Sequence, residues 1–225
     1  MLFPSASSNV SLIYSLLALI AMAMALFIAM PFHEFAHAAA AKHEGDFTAV
    51  AYRRYTLALH KHFDLKGFIF LLLFRFGWAK PVPVDERNFK RGRKSKFIVS
   101  SAGIIMNLIL GTFFLFMFFF LYRFFPAVYE IEYFGYLLYQ FLQIAYSLNF
   151  MLAFFNLLPI YPLDGFKICE SFCRYDNKFV DFMKRNSFWI FLVVALSGIY
   201  YYFYMFTGGL LVEWLTKLFV WILGL

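Results

Sequence analysis

Residues 30–40 read MPFHEFAHAAA. His33 and His37 stand four apart, so a helix carries both imidazoles on one face. Glu34 lies beside them, placed to hold a water on a metal that the imidazoles bind. H-E-x-x-H is the spacing with which a helix holds zinc through two histidines while the glutamate serves as base. As a bare pattern it has only three fixed positions, and a polar helix end at a membrane surface is the plainer reading. A catalytic zinc site also uses three protein ligands and an open position. The candidate third ligand is Asp164, in FFNLLPIYPLDGFK at 154–167. Pro159 and Pro162 cannot continue a regular helix. The run therefore ends in an extended turn that carries Asp164, with Gly165 allowing a sharp exit. The simpler role for such an aspartate is a helix N-cap.

The elements that must position these residues are apolar. The 225-residue chain is 63% hydrophobic and only 15% charged, with a mean hydropathy of +0.71. An ordinary soluble domain is nearer half apolar and a quarter charged, so a disordered chain, a disulfide scaffold and a nucleic-acid-binding domain are excluded. Crossing a bilayer takes about 20 apolar residues in a helix. Residues 9–32, Phe97–Tyr122, Tyr133–Leu163 and Asn186–Val212 are uncharged runs of that length or more. Leu210–Leu225, with Glu213 and Lys217, is a marginal fifth that crosses obliquely or lies at the interface. Phe68–Phe76 is too short to cross and reads as re-entrant or interfacial. The N-terminal run has no basic flank and is longer than a signal-peptide core, so it is expected to be retained. The reading is one domain, 1–225, an all-α polytopic membrane protein.

Residues 42–96 hold 13 of the 20 Lys and Arg, and 164–186 hold five more. By the positive-inside bias these two connections are cytoplasmic and the N-terminus is outside. His33 then ends one outside-to-inside span and Asp164 follows another. Both arrive at the cytoplasmic side at similar depth, where a metal fits between them.

HEFAH at the end of one span and NLLPIYPLDG at the end of a later one resemble the site-2 protease family of intramembrane metalloproteases (peptidase family M50). Residues 156–165 fit the family pattern N-x-x-P-x-x-P-L-D-G in full. GWAKPVPV at 77–84 and GD-x-TA at 45–49 resemble the compact members without PDZ or CBS domains, and the likeness covers roughly residues 25–185. The resemblance implies four to six transmembrane helices with a small membrane-associated β-hairpin or sheet at Thr48–Leu59. It implies His33, His37 and Asp164 as Zn2+ ligands and Glu34 as catalytic acid/base, with Asn156 and Asn107 shaping the site or holding the substrate. It departs from the family at Ala102-Gly103-Ile104, where relatives often read A-G-P, and at Thr56-Leu57-Ala58-Leu59, where they often read T-L-N-P. No ligand position is lost.

Other candidates have plainer readings. His43, His60 and His62 suit a solvated or interfacial connection, although His62 with Asp64 resembles an H-x-D of the compact members. Cys169 and Cys173, four apart, read as buried thiols in a reducing cytoplasm. The run KRGRKSK at 90–96 precedes a span and suits anionic headgroups better than nucleic acid. The 34 Phe and 15 Tyr read as lipid-facing and interfacial packing.

The function expected from the resemblance is hydrolysis of peptide bonds in single-pass transmembrane substrates, in a prokaryotic cell membrane, near its cytoplasmic side. A metal transporter or sensor is the main rival, but it needs polar groups along a path across the bilayer, and the outer halves of the spans carry almost none. An inactive scaffold fits poorly with an intact Glu34, and a prenyl-protein protease type would use a glutamate where this chain has Asp164.

Overall fold

The computed structural model describes residues 8–62, 64, 80–173 and 177–225. Four helices are long and apolar enough to cross a membrane, which makes the chain an integral membrane protein. Helix α1 runs Ser8–His43 and continues through Pro31. Two short turns, α2 (Thr48–Ala51) and α3 (Leu59–His62), follow it. Helix α4 is Arg93–Phe124, then come α5 (Ala127–Glu130) and α6 (Glu132–Asn156). Past the Pro159–Pro162 turn lie α7 (Asp164–Phe172), α8 (Lys178–Arg185) and α9 (Ser187–Ser197). The last long helix, α10, spans Ile199–Leu223 and contains one π-helical turn at Met205–Gly209.

Helices α1, α4 and α6 pack as a three-helix body. Ala21, Ala25 and Ala29 recur every four residues on α1 and are fully buried. Such a small-residue stripe lets neighbouring helices approach closely, which matters in lipid because packing rather than water exclusion drives helix association. Ala25 meets Leu110 and Phe114 of α4 and Leu142 and Ala145 of α6. Helix α10 leans on this body through Leu215 and Phe219 against Leu115 and Phe150. At its far end Arg123 Nε donates to the Leu223 carbonyl at 3.1 Å, so α4 and α10 finish on the same side.

Two expectations need correction. The last span is not Asn186–Val212 with a separate piece at Leu210–Leu225. Gly198 adopts a left-handed φ of 68°, which ends α9 and starts a new helix that absorbs residues 210–223. The charges that made that stretch marginal pair with each other, Lys217 Nζ donating to Glu213 Oε1 at 2.6 Å in the favourable i,i+4 relation. Second, no β-strand occurs among the described residues. Thr48–Leu59, where the hairpin was expected, instead opens with α2. Asp46 Oδ1 accepts the Thr48 N–H at 3.0 Å and also its hydroxyl, an Asx turn that bends the chain into a helical turn rather than an extended strand. Arg53 then turns the chain with φ 54°. The apolar segment Phe68–Phe76 lies outside the described residues.

The connection after α1 is tied down by two buried acids. Asp46 also accepts from Asp85 N at 2.8 Å and Asn88 Nδ2 at 3.0 Å. Glu44 accepts from Arg91 Nε and Nη2 in a bidentate pair and from Ser95 Oγ at 2.6 Å. Together they fasten the end of α1 to residues 85–95 and so to the start of α4.

Candidate active site

The site is assembled where α1 ends and α7 begins. On α1 the four-residue spacing stacks His33 against His37, with ring centroids 4.6 Å apart at 83°. Asp164 comes from 127 residues further along. Pro159 and Pro162 stop α6, Leu163 is extended at ψ 160°, and Asp164 opens α7 as a buried residue. The turn is tight: a Cβ on Gly165 would stand 2.2 Å from the Leu157 carbonyl oxygen and 2.6 Å from that of Leu158. Only glycine lets α7 start so close to the end of α6.

His37 Nε2 lies 3.0 Å from Asp164 Oδ2, His33 Nε2 lies 3.3 Å from the same oxygen, and the two imidazole nitrogens are 3.1 Å apart. His37 Nδ1 is 2.7 Å from the Val99 carbonyl oxygen. A carbonyl only accepts, so Nδ1 carries a proton, and Nε2 is the nitrogen that faces Asp164. Burial alone would raise the Asp164 carboxyl, but the charge and hydrogen bonds of His37 and His33 hold it below the usual carboxylate range. It therefore stands as an anion. Three such atoms at 3.0–3.3 Å, one of them on a carboxylate, can share a proton or hold a metal cation between them. A tetrahedral zinc with bonds near 2.05 Å separates its ligands by about 3.3 Å, so the donor set and its spacing fit zinc. Among the described residues these three side chains form the one group with that property. Asp164 Oδ1 faces away, 3.2 Å from Lys167 Nζ, an arrangement that leaves Oδ2 facing the two histidines.

Glu34 sits one residue along and turns to a different partner. Its Oε2 accepts the Val82 backbone N–H at 2.7 Å, so the carboxylate is held beside the histidines without sharing their triangle. Glu34 thus lies outside the group of three side chains that could hold a metal.

The remaining expected residues fall into two groups. Asn107 is fully buried on α4, and neither its Oδ1 nor its Nδ2 has a hydrogen-bond partner among the described residues. It lies one turn beyond Gly103, on the face that meets the histidines. Asn156 is the last residue of α6 and donates Nδ2 to Leu152 O of its own helix at 3.0 Å. His43, His60 and His62 stay out of the triangle. His43 and His60 are exposed. His62 is buried, with Nε2 donating to the Thr56 carbonyl at 2.7 Å. Cys169 and Cys173 also remain apart, and burial together with Cys173 pushes the Cys169 thiol up, which keeps it protonated.

Sequence reasoning assigned no role to Gly103, which proves central. A Cβ there would meet His37 Nε2 at 2.3 Å and His33 Cε1 at 2.5 Å. Helix α4 can back the two histidines only because this position has no side chain. Within a helix the signal is one glycine among apolar residues, which by itself says nothing about what it faces. Arg54 and Val82 were likewise missed, since their partners lie about 26 and 48 residues away.

Comparison with known proteins points to a peptidase family. Peptidase family M50 matches residues 127–199, a stretch that contains Asn156–Gly165 and hence Asp164. A protein of Bacillus subtilis (strain 168) named "Putative zinc metalloprotease YwhC" is 44% identical over 149 residues, 65% of this chain and 66% of that one. The chain thus spans just under two thirds of that relative's length. No solved structure matches. The family's aspartate motif is thus matched and carried to a histidine pair that only the fold brings near it, and over residues 127–199 the chain is similar to peptidase family M50.

Proposed function

We propose that this chain is an intramembrane zinc metalloendopeptidase that cleaves transmembrane protein substrates, with its site towards the cytoplasmic face. The observation that carries this reading is the convergence of His33, His37 and Asp164 at 3.0–3.3 Å beside a separately held Glu34. The Lys and Arg of residues 42–96 and 164–186 support this side of the membrane through the positive-inside bias.

His33 and His37 through Nε2 and Asp164 through Oδ2 would hold the metal. Bound there, zinc supplies an electrophile that acidifies water and polarises a peptide carbonyl. Glu34 takes the proton from the attacking water and passes it to the leaving amine. A substrate helix has to unwind first, because its backbone carbonyls are otherwise occupied by helical hydrogen bonds. Unwinding exposes amide groups that must be satisfied inside the protein. Asn107 offers a donor and an acceptor that nothing else in the described structure uses, and Asn156 stands at the end of α6 eight residues before Asp164. These two would steady the opened backbone.

The test is quantitative proteomics of membranes from cells carrying the wild type or Glu34→Gln. A single-pass protein that accumulates uncleaved only with the variant supports the reading and identifies the substrate. Identical membrane proteomes, together with unimpaired cleavage by purified Glu34→Gln, would overturn it.

A further inference from the structure

We propose that Arg54 is a positioning residue for catalysis, holding Glu34 in place through the single peptide group that joins Pro81 to Val82. The inference rests on the reading of Glu34 as the proton carrier.

Arg54 is buried and reaches across to the chain that re-enters beside α1. Its Nη2 donates to the Lys80 carbonyl at 2.7 Å and to the Pro81 carbonyl at 3.2 Å. The Pro81 carbonyl and the Val82 N–H are the two ends of one planar amide. That N–H donates to Glu34 Oε2 at 2.7 Å. The peptide group is thus gripped by a guanidinium at its oxygen and by a carboxylate at its hydrogen. A positive charge on the oxygen draws electron density from the nitrogen and strengthens the N–H as a donor, the usual cooperativity of linked hydrogen bonds.

The local sequence suits a rigid relay. Lys80-Pro81-Val82-Pro83-Val84 has prolines on both sides of Val82, which restrict the backbone and remove the neighbouring N–H donors. Within residues 81–83 Val82 alone can donate to Glu34. Lys80 N is bonded to the His62 carbonyl at 2.9 Å, and Arg54 N to the Ala49 carbonyl at 2.8 Å. Val82 itself is buried with Ala38 of α1 and Ala49 of α2. Arg54 is therefore anchored to α2 and Lys80 to α3, neither of which carries a residue of the triangle, while Val82 packs on α1 beside it. Arg54 touches neither the ligands nor the site's reacting atoms, and it acts by fixing the direction in which the Glu34 carboxylate faces.

The test uses the full-length protein in detergent, labelled with 15N-valine, the Val82 resonance being assigned by its loss in Val82→Ile. Wild type, Arg54→Gln, Arg54→Lys, Glu34→Gln and Arg54→Gln/Glu34→Gln are compared for the Val82 amide proton shift, zinc content, and kcat and KM on fluorescein-labelled casein, whose backbone needs no unwinding. A strong bond to a carboxylate places the wild-type amide proton downfield. Expected are an upfield move in both Glu34→Gln and Arg54→Gln, a smaller one in Arg54→Lys, and unchanged zinc throughout. A misdirected base costs on the order of 10²-fold in rate, so kcat falls by about that factor in Arg54→Gln with KM unchanged, and Arg54→Lys recovers part of it. In the Glu34→Gln background the Arg54 change should cost nothing more, since both act on one step. An Arg54→Gln protein with a wild-type Val82 shift overturns the inference, as does one that loses zinc in step with activity. If Arg54→Gln fails to fold, Arg54→Lys decides: a wild-type shift and kcat there would also overturn it. Full activity in Glu34→Gln would instead remove the reading on which the inference stands, and the amide shifts separate these two failures because they need no turnover.

Discussion

Gly103→Ala adds one methyl group to α4, and the structure says where it goes. The new Cβ would lie 2.3 Å from His37 Nε2, 2.5 Å from His33 Cε1 and 2.8 Å from His33 Nδ1. Carbon contacts are comfortable near 3.5 Å, so the rings must retreat by about 1 Å. His37 cannot turn freely, because Nδ1 is bonded to Val99 O at 2.7 Å. Metal–ligand distances tolerate only about 0.2 Å, and a retreat several times larger would break a His37 bond to zinc. Even supporting residues around a metal cost 10–100-fold in affinity when lost, so zinc binding should weaken by at least ~10²-fold. Stability pulls both ways: alanine in a helix gains about 1 kcal/mol over glycine, whereas overpacking costs roughly 1–3 kcal/mol. The metal-free proteins should therefore melt within a few degrees of each other. The assay is zinc per chain after dialysis against a weak chelator, with melting curves taken with and without added zinc. Wild type should gain stability from zinc by mass action, and Gly103→Ala should not. A Gly103→Ala protein that keeps near one zinc per chain and melts higher, as an unconstrained helical glycine would, refutes the argument.

Glu34→Gln should retain near one zinc per chain while losing ~10²–10⁴ in rate, whereas Asp164→Ala should lose zinc clearly, as measured by metal analysis; equal zinc in both would make Asp164 a cap only. Cysteines placed at Ser7 and at the exposed Lys94 should react with an impermeant thiol reagent from opposite sides of the membrane, and labelling of Lys94→Cys from outside would reverse the topology. Arg91 and Ser95 hold the Glu44 carboxyl down to about 2. A depressed folded pKa gives stability that is complete above the ordinary glutamate range and lost as pH falls towards 2. Glu44→Gln should therefore flatten the acid side of the melting-temperature profile in that window, and an unchanged slope would show that the Glu44–Arg91 contact contributes nothing.

The grouping of His33, His37 and Asp164 was legible in the sequence because its signals are local or topological. His33 and His37 needed only helical periodicity, and Asp164 needed the prolines that end α6. Charge alternation along the chain put both on one side of the bilayer, although 127 residues separate His37 from Asp164. The existence of four long apolar helices followed from composition. Tertiary structure decided what depends on a specific neighbour. Gly103 matters because two imidazoles lie where its Cβ would be, and no pattern within α4 says so. Arg54 and Val82 matter because separate loops cross behind Glu34. Thr48 starts a helical turn because the Asp46 carboxylate takes its N–H, a local bond that outweighed the weak strand-like alternation. The last span moved to Ile199–Leu223 because Gly198 turned left-handed and because Lys217 neutralised Glu213. Apolar length and residue spacing are properties of a segment by itself, whereas close approach, orphaned amides and relayed hydrogen bonds exist only between segments, after packing has chosen their neighbours.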